Sequence, residues 1–194
     1  LMFWIMMIIP IYFMISIWGG ANREYASGKF FIYQLIGSAL IFLGMLAVYY
    51  NSQPHTFSLQ ALSGGSGAAG IFEFADKGFR FDRFIFVVIF LGIAMRLPLA
   101  PFHNWFAHAQ QESPSPLAAV LAAIFLKTGV YALIRLNYSL FPAAAQELAF
   151  YIGILAVINI IYGALCALAQ NDLRKVASYG TISQMGIIIL GLSV

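Results

Sequence analysis

The sequence predicts an all-α membrane protein: a helix bundle of about six transmembrane helices, the third of them broken near Pro98 and Pro101. Two observations predict this fold class. Hydrophobic residues make up 62% of the 194 residues and charged residues only 9%, whereas soluble domains carry about 25% charged residues. The apolar residues also form long runs, and a helix that crosses the hydrocarbon core of a bilayer needs about 20 of them.

Six stretches are long and apolar enough, or nearly so, to cross a membrane. They lie at 1–18, 30–50, 84–108, 117–137, 148–169 and 174–194. Inside lipid every backbone N–H and C=O group must be paired within the protein, which a single segment achieves only as a helix. Barrel strands would be about ten residues long with alternating polarity. We expect a single membrane domain over residues 1–194, and we expect it to be an interior fragment of a longer protein.

The third span contains two prolines and an arginine. Proline lacks the backbone N–H and clashes with the preceding turn, so Pro98 and Pro101 should break the helix. The break leaves carbonyl groups without helical partners, which is tolerated only beside protein or a water-filled cavity. Arg96 lies two residues before Pro98, where its guanidinium can donate to the freed carbonyl groups. Because arginine does not lose its proton in proteins, Arg96 is predicted to be a fixed charge.

Lys127 lies near the middle of the fourth span, ten residues from either end of the stretch 117–137. Placing a charge at that depth costs on the order of 3 kcal/mol. One interpretation is a structural ion pair, or a lysine held neutral in a packed bundle. The other is a proton carrier whose poorly solvated amine releases and rebinds a proton. Ionisable groups inside a membrane are functional by default, which favours the second interpretation.

Further polar residues follow the break and open the sixth span. His103, His108 and Glu112 lie in one polar stretch after the break. A lone histidine is often a core residue, but neutral imidazole both accepts and donates a proton, which suits transfer through water. Gln184 lies among hydroxyl residues that serve either helix packing or a water-lined path. The candidate residues for proton translocation are Lys127, Arg96, His103, His108, Glu112 and Gln184.

No soluble enzyme chemistry is indicated. The Gly/Ser run 63–67 neither follows a strand nor opens a helix, so it is not a phosphate-binding loop. The chain has one cysteine, Cys166, and its histidines match no metal-ligand pattern, so we expect neither a metal nor a cofactor in this chain. The net charge of +3 is scattered along the sequence, which argues against nucleic acid as a partner and leaves lipid and other membrane subunits.

Several segments resemble one family when they are taken in order. They are PIYF at 10–13, WGG at 18–20, KFFIY at 29–33, RLPLAPFHNW at 96–105, FLKTGVY at 125–131, DLRK at 172–175 and SQMG at 183–186. In this set the chain resembles the antiporter-like subunit M, or chain 4, of respiratory complex I, a NADH:quinone oxidoreductase with ferredoxin-fed relatives in cyanobacteria and plastids.

The resemblance implies a proton-translocating membrane-arm subunit of a complex I-like NAD(P)H or ferredoxin:quinone oxidoreductase. Such a chain is part of an enzyme but has no redox site of its own. NADH or ferredoxin, quinone, flavin and iron–sulfur clusters are then expected in partner subunits of the membrane arm and beyond. The protein is expected to cross the bacterial plasma membrane, the thylakoid membrane or the mitochondrial inner membrane several times.

The chain departs from that family's pattern at titratable positions. The family usually has glutamate at the position of Ile5, lysine at Arg96, a Pro-Asp pair at 107–108 and often histidine at Gln184, whereas Lys127 is kept. In the family this glutamate forms an ion pair with a lysine. Because Ile5 takes its place here, we hypothesise that the half-channel around Lys127 is altered or inactive. Two alternatives stay open. One is a subunit of a cation/proton antiporter or membrane-bound hydrogenase, and the other is a structural scaffold that no longer conducts.

Overall fold

The protein is a bundle of helices in a computed structural model that describes residues 2–52, 57–59, 62 and 81–193. No strand occurs in these residues. The helices are α1 (Met2–Met6), α2 (Ile8–Trp18), α3 (Arg23–Asn51), α4 (Phe81–Arg96), α5 (Asn104–Glu112), α6 (Ser115–Tyr138), α7 (Pro142–Leu168) and α8 (Leu173–Leu192). The predicted all-α fold class is confirmed, with the break between α4 and α5. The Gly/Ser run 63–67 lies outside the described residues.

Three of these helices, α3, α6 and α7, are long and apolar enough to cross a membrane by themselves. The shorter helices α1, α2, α4, α5 and α8 occupy the other predicted spans, and the count of six stays a prediction. The predicted start of the second span is corrected, because α3 begins at Arg23 and not at residue 30. Glu24 in its first turn favours this earlier start, since a carboxylate is stabilised near a helix N-terminus.

Two helical regions near the candidate residues are irregular. The first span is interrupted at Met7, because Pro10 lacks the N–H that would bond the Met6 carbonyl group one turn earlier. In α6, two π-helical stretches, Leu121–Phe125 and Leu133–Tyr138, flank the α-helical stretch that contains Lys127. Such widened turns occur frequently at functional sites.

The break between α4 and α5 is held by side chains from two helices. The Trp105 indole N–H donates to the freed Met95 carbonyl oxygen at 2.9 Å. The Ala100 N–H donates to the side-chain oxygen of Asn159 in α7 at 2.9 Å, and the Asn159 amide group donates to the Ile182 carbonyl oxygen in α8 at 2.9 Å. Asn159 is fully buried. One amide side chain therefore ties the broken segment to both α7 and α8.

Three connections meet at one end of the bundle. The Gly20 N–H donates to the Glu112 carbonyl oxygen at 2.9 Å, and the Asn22 N–H donates to the Glu112 carboxylate at 3.1 Å. Arg174 at the start of α8 donates to the Ser113 carbonyl oxygen at 3.3 Å. These contacts hold together the end of α2, the end of α5 and the start of α8. Glu112 consequently has a structural role in addition to the role predicted from the sequence.

The pair α3 and α4 packs at glycine positions. A Cβ atom added to Gly37 would lie 2.8 Å from the Gly92 carbonyl oxygen, and a Cβ atom added to Gly92 would lie 2.8 Å from the Gly37 carbonyl oxygen. Small residues allow helix backbones to approach closely in membranes. This close approach places Arg96, one turn after Gly92, against α3.

We predict that Gly37→Ala destabilises the protein by about 1–3 kcal/mol, because the added methyl group pushes α4 away from α3. The matched control is Gly28→Ala in the same helix, where an added Cβ meets nothing within 4 Å. Alanine is favoured over glycine inside a helix by about 0.5–1 kcal/mol, so the control should be neutral or stabilising. The midpoint of thermal unfolding of the full-length protein in nanodiscs measures both. Equal midpoints for the two variants would contradict the close packing.

Candidate functional site

Arg96 is the most buried charged side chain of the described residues, with 2% of its surface exposed. Its Nε donates to the Gln34 side-chain oxygen at 3.1 Å, and its Nη2 donates to the Trp4 carbonyl oxygen at 3.3 Å. The guanidinium carbon also lies 3.9 Å from the centre of the Trp4 ring. Arg96 therefore does not donate to the carbonyl groups freed by its own break, as the sequence analysis expected. The indole of Trp105 takes the Met95 carbonyl oxygen instead.

No carboxylate pairs with Arg96 in the part of the chain that the structure describes. The ion pairs found there join Arg83 with Glu147 and Lys175 with Asp172. Ile5 is half-buried and lies beside Trp4 on the wall of an apolar cavity of about 1000 Å³. The positive charge of Arg96 is thus balanced by an amide oxygen, a backbone carbonyl oxygen and the face of an indole ring, all of which are neutral groups.

Lys127 lies on the exposed side of α6, outside the packed core. No hydrogen bond or ion pair within the described residues involves its amine. Its neighbour Thr128 accepts a hydrogen bond from the Trp4 indole N–H at 3.1 Å and donates to the Phe125 carbonyl oxygen at 2.7 Å. Trp4 consequently contacts both Arg96 and the helical turn that contains Lys127. The side chain of Lys127 is not enclosed by the described helices.

His103 lies at the end of the broken segment, immediately before α5, and is 7% exposed. Its ring centre lies 4.8 Å from that of Tyr162 in α7 and 6.5 Å from that of Tyr179 in α8. The Nδ1 atom of His103 is buried and has no hydrogen-bond partner in the described residues. The imidazole is therefore surrounded by two phenol rings from two different helices.

His108 lies one and a half turns further along α5, in different surroundings. It lines a polar cavity of about 280 Å³ at the end of the bundle where the connections meet, together with Glu112, Lys175 and Tyr25. The His108 ring packs edge-on against the Tyr25 ring at 5.5 Å between centres. This cavity brings the predicted residues His108 and Glu112 together.

The remaining candidate, Gln184, is exposed on α8. The structure thus separates the predicted residues into a buried Arg96 site, a His103 site, a polar cavity with His108 and Glu112, and two exposed positions at Lys127 and Gln184. In the described part of the chain no group of three or more His, Cys, Asp or Glu side chains could hold a metal ion.

Gln34 and Trp4 of the Arg96 site were not predicted from the sequence, and the two tyrosines beside His103 were not singled out from the other polar residues of the fifth and sixth spans. Gln34 had a usable signal, because it is the one amide side chain in the stretch 30–50. A buried amide in a membrane helix needs a partner. The tyrosines had no comparable signal, since aromatic residues are frequent throughout this chain.

Known proteins are similar to this chain over nearly its whole length. NADH-quinone oxidoreductase subunit M of Rickettsia bellii is 36% identical over 192 residues, which are 98% of this chain and 37% of that protein. NAD(P)H-quinone oxidoreductase chain 4 of Gloeobacter violaceus is 36% identical over 187 residues, covering 95% of this chain and 33% of the relative. F(420)H(2) dehydrogenase subunit M of Methanosarcina mazei is 36% identical over 195 residues, covering 97% of this chain and 38% of the relative. The chain therefore spans between about a third and two fifths of these relatives.

Solved structures share the fold. A chain of respiratory complex I from Thermus thermophilus superposes with a TM-score of 0.85 at 28% identity, covering 99% of this chain and 39% of that chain. A chain of the Mrp complex from Dietzia superposes with a TM-score of 0.81 at 18% identity, covering 99% of this chain and 34% of that chain. At this identity the similarity concerns the fold alone. The family model described as NADH:quinone oxidoreductase/Mrp antiporter, TM, matches residues 1–194. The resemblance found in the sequence is thereby confirmed, and this chain belongs to the NADH:quinone oxidoreductase/Mrp antiporter transmembrane family.

Proposed function

We propose that this chain forms part of a proton-translocating membrane-arm subunit of a complex I-like NAD(P)H or ferredoxin:quinone oxidoreductase. Lys127 is its proton carrier. The observation that carries the proposal is an amine in the middle of an apolar helix, outside the packed core and without a partner in the described residues. Its neighbouring turn is hydrogen-bonded to Trp4, which also contacts the charged residue before the broken helix.

The reason to assign the proton to Lys127 is chemical. A charge in the middle of a membrane helix costs on the order of 3 kcal/mol, and such groups mark transport pathways. A lysine amine can be neutral or charged, so it can store a proton and release it, whereas a guanidinium holds its proton permanently. Lys127 and Arg96 therefore divide two tasks, since one can cycle a proton and the other supplies a constant field.

Arg96 supports the further proposal that this half-channel is altered. In the related subunits that the sequence resembles, a lysine at this position and a glutamate at position 5 form a pair that opens and closes. Here Ile5 supplies no carboxylate, and Gln34 and Trp4 hold the guanidinium with neutral groups. A fixed positive charge beside the break repels cations, as arginines do in other selective pores. Proton transfer to Lys127 then follows a route in which neither position 96 nor Gln184 titrates.

The rest of the machinery lies elsewhere in the assembly. We propose that NADH or ferredoxin, quinone, flavin and iron–sulfur clusters belong to partner subunits, and that other membrane-arm subunits and lipid surround this chain. The protein is a membrane protein, and we propose that it crosses the bacterial plasma membrane, the thylakoid membrane or the mitochondrial inner membrane.

Two other functions compete with this proposal. A scaffold that no longer conducts is favoured by Ile5 and by the lack of a titratable partner for Arg96 among the residues that the structure describes. A subunit of a cation/proton antiporter is favoured by the family description, which includes the Mrp antiporter. A subunit of a membrane-bound hydrogenase is the other form of this second alternative. Purification from the native membrane separates the proposed function from this alternative, because a quinone-reducing complex co-purifies with the former and antiporter or hydrogenase subunits with the latter.

We predict that Lys127→Met lowers proton uptake at least tenfold in proteoliposomes that contain the intact complex, because methionine fills similar space without a basic group. The complex is driven with NADH or reduced ferredoxin and a soluble quinone, and uptake is followed with a pH-sensitive dye. Ile124→Met, one turn earlier on the exposed side of α6, is the control and should retain uptake. Full uptake by assembled Lys127→Met complex would remove Lys127 from the path and favour the scaffold.

A second prediction concerns the neutral groups that hold Arg96. Gln34→Leu should destabilise the protein by about 1.5–3 kcal/mol, because the Arg96 Nε loses its acceptor in a buried site. Gln34→Glu keeps the shape and supplies a charged acceptor, and bonds between guanidinium and carboxylate are about twice as strong as neutral ones. The thermal midpoint of the full-length protein should therefore fall for Gln34→Leu and be unchanged or higher for Gln34→Glu. A native midpoint for Gln34→Leu would mean that Arg96 does not depend on Gln34.

A further inference from the structure

We propose that the hydroxyl groups of Tyr162 and Tyr179 conduct protons between His103 and the exposed face of α7 and α8. This inference rests on the proposed function, since it names residues of the same proton path. It goes beyond that function because neither tyrosine belongs to the candidate residues that the sequence indicated. The two tyrosines come from α7 and α8, and His103 comes from the broken segment, so the cluster joins three elements.

The imidazole of His103 is buried and is not fully hydrogen-bonded within the described residues. The residue is 7% exposed, and its Nδ1 has no partner in the described residues. Leaving a buried polar atom unpaired costs about 1–3 kcal/mol, so a site that keeps one holds it for water or for a transfer step. The His103 ring lies beside the rings of Tyr162 and Tyr179, at 4.8 and 6.5 Å between ring centres.

The cluster of His103, Tyr179 and Tyr162 extends from a buried to an exposed position. His103 is buried, Tyr179 is half-buried and Tyr162 is 42% exposed, so the three rings lead from the interior to the surface of the described helices. Gln184 is exposed further along α8, the helix that contains Tyr179.

Hydrogen bonds from the Asn159 side chain to backbone groups hold the three elements of the cluster together. Asn159 lies one turn before Tyr162 in α7 and bonds both the Ala100 N–H of the broken segment and the Ile182 carbonyl oxygen of α8. The helices that hold the two tyrosines are therefore tied to the segment that holds His103. The route also leaves Arg96 aside, because the contacts of Arg96 are with Gln34 and Trp4 on other helices.

The chemistry of the step is balanced without any further reactant. One imidazole nitrogen accepts a proton while the other releases one, and neutral histidine is suited to this exchange. A water beside Nδ1 accepts the released proton and passes one of its own to a phenol oxygen, since Nδ1 bonds neither hydroxyl group directly. The phenol O–H proton passes in turn to the next acceptor, a second phenol or water. The hydroxyl groups act as conduits and do not store charge, because each phenol gains one proton as it gives up another. No bond other than O–H and N–H bonds forms or breaks.

The test replaces each hydroxyl group and keeps each ring. Tyr162→Phe, Tyr179→Phe and the double variant are assayed in the intact reconstituted complex for proton uptake per quinone reduced. We expect uptake in the double variant to fall at least tenfold, while quinone reduction in the presence of an uncoupler is retained. Tyr151→Phe, on an exposed part of the same helix α7, is the matched control and should pump normally. Because phenylalanine preserves the ring contacts, a purely structural role would leave uptake unchanged.

Native uptake by the double variant would overturn the inference. Lys127→Met is assayed in parallel, so that this failure can be told apart from failure of the proposed function. If Lys127→Met loses uptake and the double phenylalanine variant does not, the tyrosine path is wrong and the proposed function stands. If neither variant loses uptake, the proposed function fails as well. Uptake is expressed per assembled complex, which removes any effect of the substitutions on yield.

Discussion

The structure depends on how the break between α4 and α5 is held inside an apolar medium. Two prolines remove N–H groups from the third span, and the segment that results has backbone groups that no helix can pair. The Trp105 indole N–H donates to the Met95 carbonyl oxygen. The Asn159 side chain accepts a hydrogen bond from the Ala100 N–H and donates one to the Ile182 carbonyl oxygen of α8. These bonds position His103 after the break, and together with the close approach of α3 and α4 at Gly37 and Gly92 they position Arg96 before it.

The two deep cations have different surroundings, and the roles proposed for them rest on this difference. Arg96 is enclosed by Gln34 and Trp4, whereas Lys127 lies on the outside of the described bundle with its amine unpaired there. A guanidinium that never loses its proton is compatible with enclosure by neutral groups, because its charge state does not change. An amine that cycles a proton needs access to a donor and an acceptor, and the exposed face of α6 leaves the Lys127 amine accessible in the described bundle. Trp4 contacts both neighbourhoods and is the link between them.

Features that depend on local chemistry could be predicted from the sequence. Pro98 and Pro101 predicted the break, and the apolar runs predicted the helical fold class. The start of α3 was placed seven residues late, because charged residues such as Arg23 and Glu24 look like a loop although they suit a helix N-terminus. The partners of Arg96 could not be predicted, since Gln34 is 62 residues and Trp4 is 92 residues away along the chain. Such contacts depend on how helices pack, which the close approach at Gly37 and Gly92 determines in three dimensions.

Hydrogen–deuterium exchange of the backbone across residues 97–104 in the full-length protein tests the central claim most directly. If Asn159 holds the break, the Ala100 amide exchanges slowly in the native protein and much faster in Asn159→Leu, while amides in the middle of α3 are unaffected. Fast exchange at Ala100 in the native protein, or equal exchange in the two proteins, would contradict the account. In either case the break would be maintained without the bond from Asn159, and the arrangement of His103 and Arg96 would need another cause.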